Sequence, residues 1–210
     1  MSAETRQPRA YRSPLRSRQA AETRDRILDA AGASFAADGY GRTTLAAIAD
    51  RAGVSVETVQ ANGPKRALLV AAFERAFTGD EGSHQIAERE VGRQILATPD
   101  LAAMRAGIIG FVVAANERTA ALWRAYVSAA DSDPEVMAAL DDMYARRGND
   151  IAAAVAGLVE RGAPIADPRR AADVLSFLLS PEGYEQLVLR AGWSHDAYAR
   201  WLDDAIAALR

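Results

Sequence analysis

The sequence predicts an all-α protein, and three observations support this prediction. From Thr23 onward, apolar residues recur at the three- to four-residue spacing that places them on one face of a helix. No stretch shows the alternation of apolar and polar residues that a half-buried strand needs. Prolines separate the apolar stretches, as helix breakers do, at Pro99, Pro134, Pro164 and Pro168.

Four helices are predicted before residue 80. The first ends at Gly39, because glycine readily adopts the left-handed backbone that closes a helix. Thr43 or Thr44 caps the second helix, and Ser55 caps a third of about two turns. The fourth begins at Pro64, which suits the first position of a helix. Their apolar faces are formed by Ile27, Leu28, Ala31 and Phe35, by Leu45, Ile48, Ala49 and Ala52, by Val54 and Val59, and by Leu69, Phe73, Ala76 and Phe77.

Longer helices are predicted after Gly79 and Gly82. They span roughly 84–97, 101–116, 118–130, 134–161, 168–190 and 194–209. Pro181 either kinks the helix over 168–190 or restarts it as a new one. We therefore divide the chain into 1–18, 19–79 and 80–210.

The charge of the chain is unevenly distributed. Residues 1–79 carry 12 Lys and Arg against 8 Asp and Glu, a net charge of +4, whereas residues 80–210 carry 13 against 20, a net charge of −7. Residues 1–18 contain prolines and no core-forming pattern, so we expect them to be a disordered basic arm. Such an arm either binds a polyanion or is simply solvated. Its arginines are Arg6, Arg9, Arg12, Arg16 and Arg18.

Several classes of protein are excluded by composition. The chain has no cysteine, and its two histidines, His84 and His195, are far apart in sequence, so neither thiol chemistry nor a metal site is expected. No glycine-rich phosphate loop or serine elbow occurs, and we expect neither an enzyme nor a cofactor. No run of 18 apolar residues is present, and the arginine-rich N-terminus is unlike a signal peptide. We expect a cytoplasmic protein without membrane contact.

The second and third helices, joined by a tight turn at Ala52-Gly53-Val54, have the spacing of a helix-turn-helix motif. If Val59 faces inward, the 100° rotation per residue places Glu57 and Ala61 outward, with Thr58 and Gln60 on the flanks and Val56 half turned in. A short helix of this kind can enter the major groove of DNA while flanking donors hold phosphates.

Residues 23–59, TRDRILDAAGASFAADGYGRTTLAAIADRAGVSVETV, resemble the N-terminal domain of the tetracycline-repressor (TetR) family of transcription regulators. The resemblance is strongest over residues 23–75. It implies a homodimeric, all-helical regulator, usually a repressor, with a DNA-binding N-terminal domain and a larger C-terminal domain for dimerisation and for a small-molecule effector. The expected partner is double-stranded operator DNA with a palindromic sequence.

The resemblance also implies roles for individual residues. By matched position, Thr44 and Thr58 would hold phosphates beside the recognition helix, and Lys65, the only lysine, would grip another. Glu57 either accepts from a cytosine amino group or only supports the helix dipole. The full set of expected DNA contacts is Arg16, Arg18, Thr43, Thr44, Ser55, Val56, Glu57, Thr58, Gln60, Ala61, Asn62 and Lys65.

The end of the third helix departs from the family pattern. Where relatives usually carry a tyrosine and a phenylalanine, this chain has Gln60 and Gly63, and the following linker is one residue shorter. The glutamine amide can donate to a phosphate or pair with adenine, and Gly63-Pro64 can replace an apolar anchor with stiffness. The alternative is a ligand-binding or interaction protein of the same fold whose recognition helix has degenerated.

The C-terminal helices suggest a ligand cavity and a dimer interface. Aromatic and polar residues between 84 and 144 are the candidates for binding an effector: Phe111, Asn116, Trp123, Tyr126 and Tyr144. Apolar stripes on the helix over 134–161 and on the last two long helices either join two subunits in a four-helix interface or pack within one subunit. A two-fold dimer would let one short recognition helix act on two half-sites.

Overall fold

The computed structural model describes residues 14–79, 81–82 and 84–209, and within these ranges the regular elements are all helices. The arginines Arg6, Arg9 and Arg12 of the predicted arm lie outside the described residues. A 3₁₀ turn over Ile86–Glu88 precedes α5, and a π-helical segment over Glu185–Arg190 follows α9. The α-helices are α1 (Pro14–Arg42), α2 (Leu45–Ala52), α3 (Val56–Ala61), α4 (Lys65–Thr78), α5 (Glu90–Ala97), α6 (Leu101–Ala130), α7 (Pro134–Glu160), α8 (Pro168–Leu178), α9 (Pro181–Tyr184) and α10 (His195–Ala207).

Local capping chemistry defines the N-terminal helices much as the sequence predicts. Thr44, rather than Thr43, caps α2 and accepts a hydrogen bond from Ala47 N at 3.1 Å. Ser55 caps α3 by accepting from Thr58 N at 3.2 Å. Pro64 takes the N-cap position of α4 rather than the predicted first helical position, so the helix begins one residue later than predicted, at Lys65.

Glycines close these helices. Gly39 has φ 77° and ψ 167°, a conformation restricted to glycine, and interrupts α1 four residues before Thr43. Gly53 has φ 66° and ends α2 in the left-handed conformation.

Three elements differ from the sequence prediction. Residues 14–18, assigned to the disordered arm, form the first turns of α1. The region 84–97 is a 3₁₀ turn followed by the short helix α5, because a sharp bend brings the turn back onto Gly92. Residues 101–130 form one continuous helix, since the sequence between the two predicted helices contains no breaker.

The helix predicted over 168–190 restarts at Pro181, which was one of the two expected outcomes. Ser180 caps the new helix by accepting from Gly183 N at 3.1 Å. Beyond Tyr184 the backbone widens to π-helical geometry, with Ala191 N donating to Gln186 O. The last part of the chain therefore changes direction twice before α10.

Two hydrophobic cores hold the helices together. The first lies among α1–α4 and includes the second half of α6, so Phe73 of α4 packs against Trp123 and Tyr126 with ring centroids 5.5 and 5.2 Å apart. The second core joins α6, α7, α8 and α10. The N-terminal helices therefore share a core with α6 across the boundary predicted near residue 80. No helix within the described ranges is long and apolar enough to cross a membrane.

Candidate nucleic-acid interface and ligand cavity

The helix-turn-helix predicted from sequence is formed by α2 and α3. Ile48, Ala49 and Val59 are almost completely buried where the two helices meet α1 and α4. The opposite side of α3 exposes Glu57, Gln60 and Ala61, while Val56 and Thr58 are half-buried at its edges. The orientation deduced from a 100° rotation per residue agrees with this exposure, so the outward side chains form a narrow surface of the size that enters a major groove.

Hydroxyl groups flank this surface. Ser55 Oγ and Thr58 Oγ1 are 3.1 Å apart and share one hydrogen bond, which uses one of their two O–H donors. Thr44 is exposed and uses its oxygen, not its hydrogen, to cap α2. Thr44 therefore retains an O–H group that can donate to a phosphate, whereas the Ser55–Thr58 pair shares its two donors with Glu57.

Glu57 is a charged acceptor at the start of α3. Its own backbone N–H, and then the Ser55 side chain, lower the pKa of its carboxyl group. The carboxylate therefore remains ionised near neutral pH and stabilises the positive end of the helix dipole. The same charge repels phosphates and can accept only from a base such as cytosine.

Two residues expected to touch DNA are turned into the protein. Thr43 is 2% exposed, and its hydroxyl donates to Gly39 O at 2.8 Å. Lys65 Nζ donates to Tyr40 O at 2.7 Å and to Thr43 O at 2.9 Å, and it lies 4.3 Å from the centroid of the Tyr40 ring. Burial lowers the pKa of Lys65. The structure therefore places Lys65 as a clamp on the turn between α1 and α2, with one of its three N–H donors still available.

The turn after α3 is held by polar contacts where the family resemblance implied an aromatic anchor. Asn62 Nδ2 donates to Thr58 O at 2.8 Å, which directs this amide back onto α3 rather than outward. Arg24 donates to Asn62 O at 2.9 Å and also forms a salt bridge with Glu81 at 2.6 Å. Gly63 follows with φ 127°, a conformation open to glycine. The sequence did not identify Arg24, because this residue lies on α1, 38 residues before Asn62, and no local pattern connects the two.

Arg16 and Arg18 lie on the first turns of α1 and are exposed. Arg18 Nε lies 3.5 Å from Glu22 Oε1, with both side chains largely in solvent. An exposed pair of this kind contributes little to stability, so the arginine remains free to exchange its partner for a phosphate.

A largely apolar cavity of about 170 Å³ lies between α4, α5, α6, α7 and α8. It contains two of the five side chains predicted to bind a ligand, Phe111 and Trp123. The other main contributors are Phe77 of α4, and Ile95 and Met143 from the opposite walls. The cavity therefore adjoins the last turn of α4, which also belongs to the N-terminal core.

The other three predicted ligand residues are placed elsewhere. Asn116 is completely buried below the α8–α9 junction, where its amide lies 3.4 Å from Leu179 O and Ser180 O. Tyr126 is 1% exposed in the first core, and burial raises its pKa to about 12. Tyr144 faces outward and is 47% exposed. Helical spacing identified these side chains but could not show which neighbour each would meet.

The sequence did not predict any charged residue in the cavity wall. Arg147 shares one stripe of α7 with Met143 and Ile151, four residues before and after it, and all three line the cavity. A charged residue on an apolar stripe is the signal that could have identified it. The remaining charged groups on the described wall are Glu74, Arg89, Arg146 and Asp150.

Comparisons with known proteins agree with this architecture. Residues 27–60 match the family model of bacterial regulatory proteins of the tetR family. No match was found among curated proteins. The matched residues cover the C-terminal half of α1, all of α2 and most of α3, and so include nearly all of the helix-turn-helix.

Solved structures with the same fold cover nearly the whole chain. One, described as a TetR-family transcriptional regulator from Mesorhizobium loti MAFF303099, is 22% identical, has a TM-score of 0.68, and the alignment covers 90% of this chain and 96% of that one. A transcriptional regulator from Saccharomonospora viridis in complex with choline is 21% identical, with a TM-score of 0.71 and coverage of 90% and 97%. FadR from Bacillus subtilis in complex with stearoyl-CoA is 15% identical, with a TM-score of 0.65 and coverage of 88% and 97%. Residues 27–60 thus match the tetR family of bacterial regulatory proteins, and the chain as a whole shares the fold of TetR-family transcriptional regulators.

Proposed function

We propose that the protein is a non-enzymatic transcriptional repressor that binds a palindromic operator as a homodimer and is released by a small-molecule effector. The observation that carries the DNA-binding part is the exposed face of α3, where Glu57, Gln60 and Ala61 project from a helix anchored by buried Val59. The exposed hydroxyl group of Thr44, whose oxygen caps α2, supports phosphate contact beside this face. Such a regulator acts in the cytoplasm, where bacterial DNA lies.

The proposed dimer is supported by exposed apolar side chains on α8. Phe177 is 75% exposed and Val174 37%, and their three-residue spacing places them on the same side of the helix. Most other apolar residues of the predicted interface stripes are buried within one subunit: Leu175, Leu179, Tyr198, Leu202 and Ile206. A large exposed aromatic beside a second apolar residue is typical of a protein–protein interface.

The proposed release mechanism depends on α4, which contributes to both sites. Its first residue, Lys65, holds the turn before α2. Phe73, Glu74 and Phe77 of the same helix line the cavity, and Phe77 lies about 18 Å along the helix axis from Lys65. Arg118 of α6 donates to Ala76 O and Phe77 O, which fixes the end of α4 to the C-terminal helices. A ligand that favours one position of α4 would change the spacing of two recognition helices, and DNA would oppose its binding equally.

The degenerate-helix alternative is favoured by one observation. Lys65, which should grip a phosphate in a DNA-binding member, already donates twice to the protein. A protein of this kind would bind its ligand and dimerise but would show no preference among DNA sequences.

The test is binding of the full-length protein to the DNA upstream of its own gene, measured by fluorescence anisotropy at several salt concentrations. We expect preference for a palindrome over random DNA and affinity that falls with salt. Gln60→Ala should alter the preferred sequence, whereas Arg51→Ala, an exposed change on α2, should leave the preference intact. Equal binding to all DNA, or no binding, would establish the alternative instead.

A further inference from the structure

The described wall of the cavity contains more positively charged than negatively charged side chains. Three arginines and two carboxylates line it within the described residues: Arg89, Arg146 and Arg147 against Glu74 and Asp150. Since arginine remains protonated, the described wall carries a net positive charge. Glu74, Asp150 and Arg147 differ in the hydrogen-bond and salt-bridge partners that they have within the protein.

Both carboxylates are already engaged by the protein. Glu74 forms a salt bridge with Arg146 at 3.2 Å, and its other oxygen accepts from Gly82 N at 3.3 Å. The two oxygens of Asp150 accept from Ile86 N and Ala87 N, each at 3.0 Å, and thereby hold the 3₁₀ turn against α7. Glu74 and Asp150 therefore serve the cavity wall itself.

Arg147 has no carboxylate partner within the described residues. Its guanidinium donates to Ser176 O at 2.8 Å, a carbonyl in the last turn of α8, and no carboxylate of the described chain lies within salt-bridge distance of it. The carboxylate that acts on the charge of Arg147 is Glu182, whose Oε1 accepts from Trp123 Nε1 at 2.9 Å. Burial lowers the pKa of Arg147, with Glu182, Tyr144 and Tyr198 acting in the opposite direction. A carbonyl satisfies one N–H group but carries no formal charge to balance the guanidinium, and Glu182 offsets that charge only from beyond salt-bridge distance.

The size of the cavity limits what can meet this charge. An apolar protein cavity of roughly 150 Å³ accommodates benzene, and this one measures about 170 Å³. The rest of its wall, including Phe77, Phe111 and Ile95, is apolar. The space therefore fits one ring or a short alkyl chain with a single polar group.

We propose that the effector is a small apolar carboxylic acid, bound as its anion, whose carboxylate pairs with Arg147 while its ring or chain fills the apolar part of the cavity. This inference rests on the proposed role of the cavity and names the chemical class of its ligand. The guanidinium supplies the two parallel N–H donors that a carboxylate accepts, and the pair gains strength because it forms away from water.

The experiment compares three probes of the same shape and different charge on the full-length protein: benzoate, benzyl alcohol and benzylamine. Hexanoate and 1-hexanol provide the same comparison for a chain. Isothermal titration calorimetry at neutral pH should give tighter binding for each carboxylate than for its alcohol, by roughly 10- to 100-fold, and the weakest binding for the amine. Equal affinity for acid and alcohol, preference for the amine, or failure of every probe to bind at millimolar concentration would overturn the proposal.

Two variants identify the residue responsible. Arg147→Met keeps the length of the side chain and should abolish the preference for carboxylate over alcohol, whereas Arg147→Lys should retain part of it. Arg169→Met, the matched change on the exposed start of α8, should leave the preference unaltered. If Arg147 only caps α8, Arg147→Met would lower the melting temperature without changing the ratio of acid to alcohol affinity, and the proposal would be wrong.

Failure here is distinguishable from failure of the proposed function. Operator binding is measured on the same preparation without any probe. A protein that binds a palindrome but shows no preference for carboxylates would remain a regulator with a ligand of different chemistry. One that prefers carboxylates without binding a specific DNA sequence would match the degenerate-helix alternative.

Discussion

At the scale of single residues, Lys65 has a structural role that its position in the sequence did not reveal. Its position at the start of α4 suggested a phosphate contact, and the structure adds two hydrogen bonds to the carbonyl groups of Tyr40 and Thr43. These bonds connect α4 to the turn that presents α2. DNA contact through the remaining N–H group is a prediction that depends on the clamp staying closed.

We expect Lys65→Met to lower the free energy of unfolding by roughly 1–3 kcal/mol, because it leaves two half-buried carbonyl groups without their donor. It should also weaken DNA binding through the displaced α2. Chemical denaturation and anisotropy measure the two effects. Arg66→Met is the neighbouring control: its salt bridge with Glu135 is exposed, so the stability of that variant should hardly change. Equal stability loss in both variants would show that the clamp is unimportant.

Gly92 is a second residue whose identity is determined by a close contact. A Cβ atom at this position would lie 1.9 Å from Ile86 O and 2.5 Å from Ile86 C, both backbone atoms that cannot rotate away. The 3₁₀ turn that forms part of the cavity wall therefore packs directly on the backbone of α5.

We expect Gly92→Ala to destabilise the protein by roughly 1–3 kcal/mol, the usual cost of overpacking, and to disturb the cavity. Gly110→Ala is the matched change in the exposed interior of α6, where no atom lies within 4 Å of the added Cβ. That variant should instead gain roughly 0.5–1 kcal/mol from helix propensity. Thermal denaturation of the two variants in parallel decides the point, and a stable Gly92→Ala protein would contradict the close contact.

At the scale of elements, α1 is longer than its sequence suggested. Residues 14–18 were assigned to a disordered arm because their arginines and prolines resemble a tail, yet they continue the helix that carries Ile27 and Phe35 into the core. Helix formation is cooperative, so an established helix extends through residues that would not nucleate one themselves. Arg16 and Arg18 are therefore presented from a helix rather than from a flexible segment.

We expect the double variant Arg16→Ala, Arg18→Ala to retain sequence preference but to reduce the salt dependence of DNA binding. If both arginines contact phosphates, the slope of log affinity against log salt should fall by roughly 2. Arg169→Ala together with Arg200→Ala removes the same charge from exposed positions outside the N-terminal helices and should leave the slope unchanged. An unchanged slope in the first variant would remove α1 from the DNA interface.

At the scale of the whole molecule, the outstanding surface feature is Phe177 on α8. An aromatic side chain that is 75% exposed loses a substantial hydrophobic contribution unless another surface covers it. The proposed dimer supplies that cover and places two recognition helices on one DNA.

Phe177→Glu should therefore convert the dimer to a monomer, because a charge would be buried at the two-fold interface. Light scattering coupled to size exclusion should report half the mass, and affinity for a palindrome should fall at least tenfold. Leu15→Glu places the same charge at a side chain 63% exposed on α1 and should leave the mass unchanged. A dimeric Phe177→Glu protein would show that the subunits meet elsewhere.

The sequence predicted the fold class, the helix-turn-helix and the orientation of α3 correctly. Val59 inward and Glu57 outward follow from rotation alone, and Thr44 and Ser55 cap their helices through contacts three residues away. All of these depend on neighbours within one or two turns. The lining of the cavity followed less closely from the sequence, since Phe111 and Trp123 line it whereas Asn116, Tyr126 and Tyr144 do not.

The sequence therefore predicts local features: where helices begin and end, and which side of each helix is apolar. The tertiary structure alone decided that Lys65 turns toward Tyr40, that Tyr126 fills a core, and that Arg147 reaches the cavity. Periodicity shows which side chains leave solvent but not which helix faces them. That facing helix determines whether a buried group becomes a clamp, a packing residue or a binding site, because the partner atoms come from residues distant in the chain.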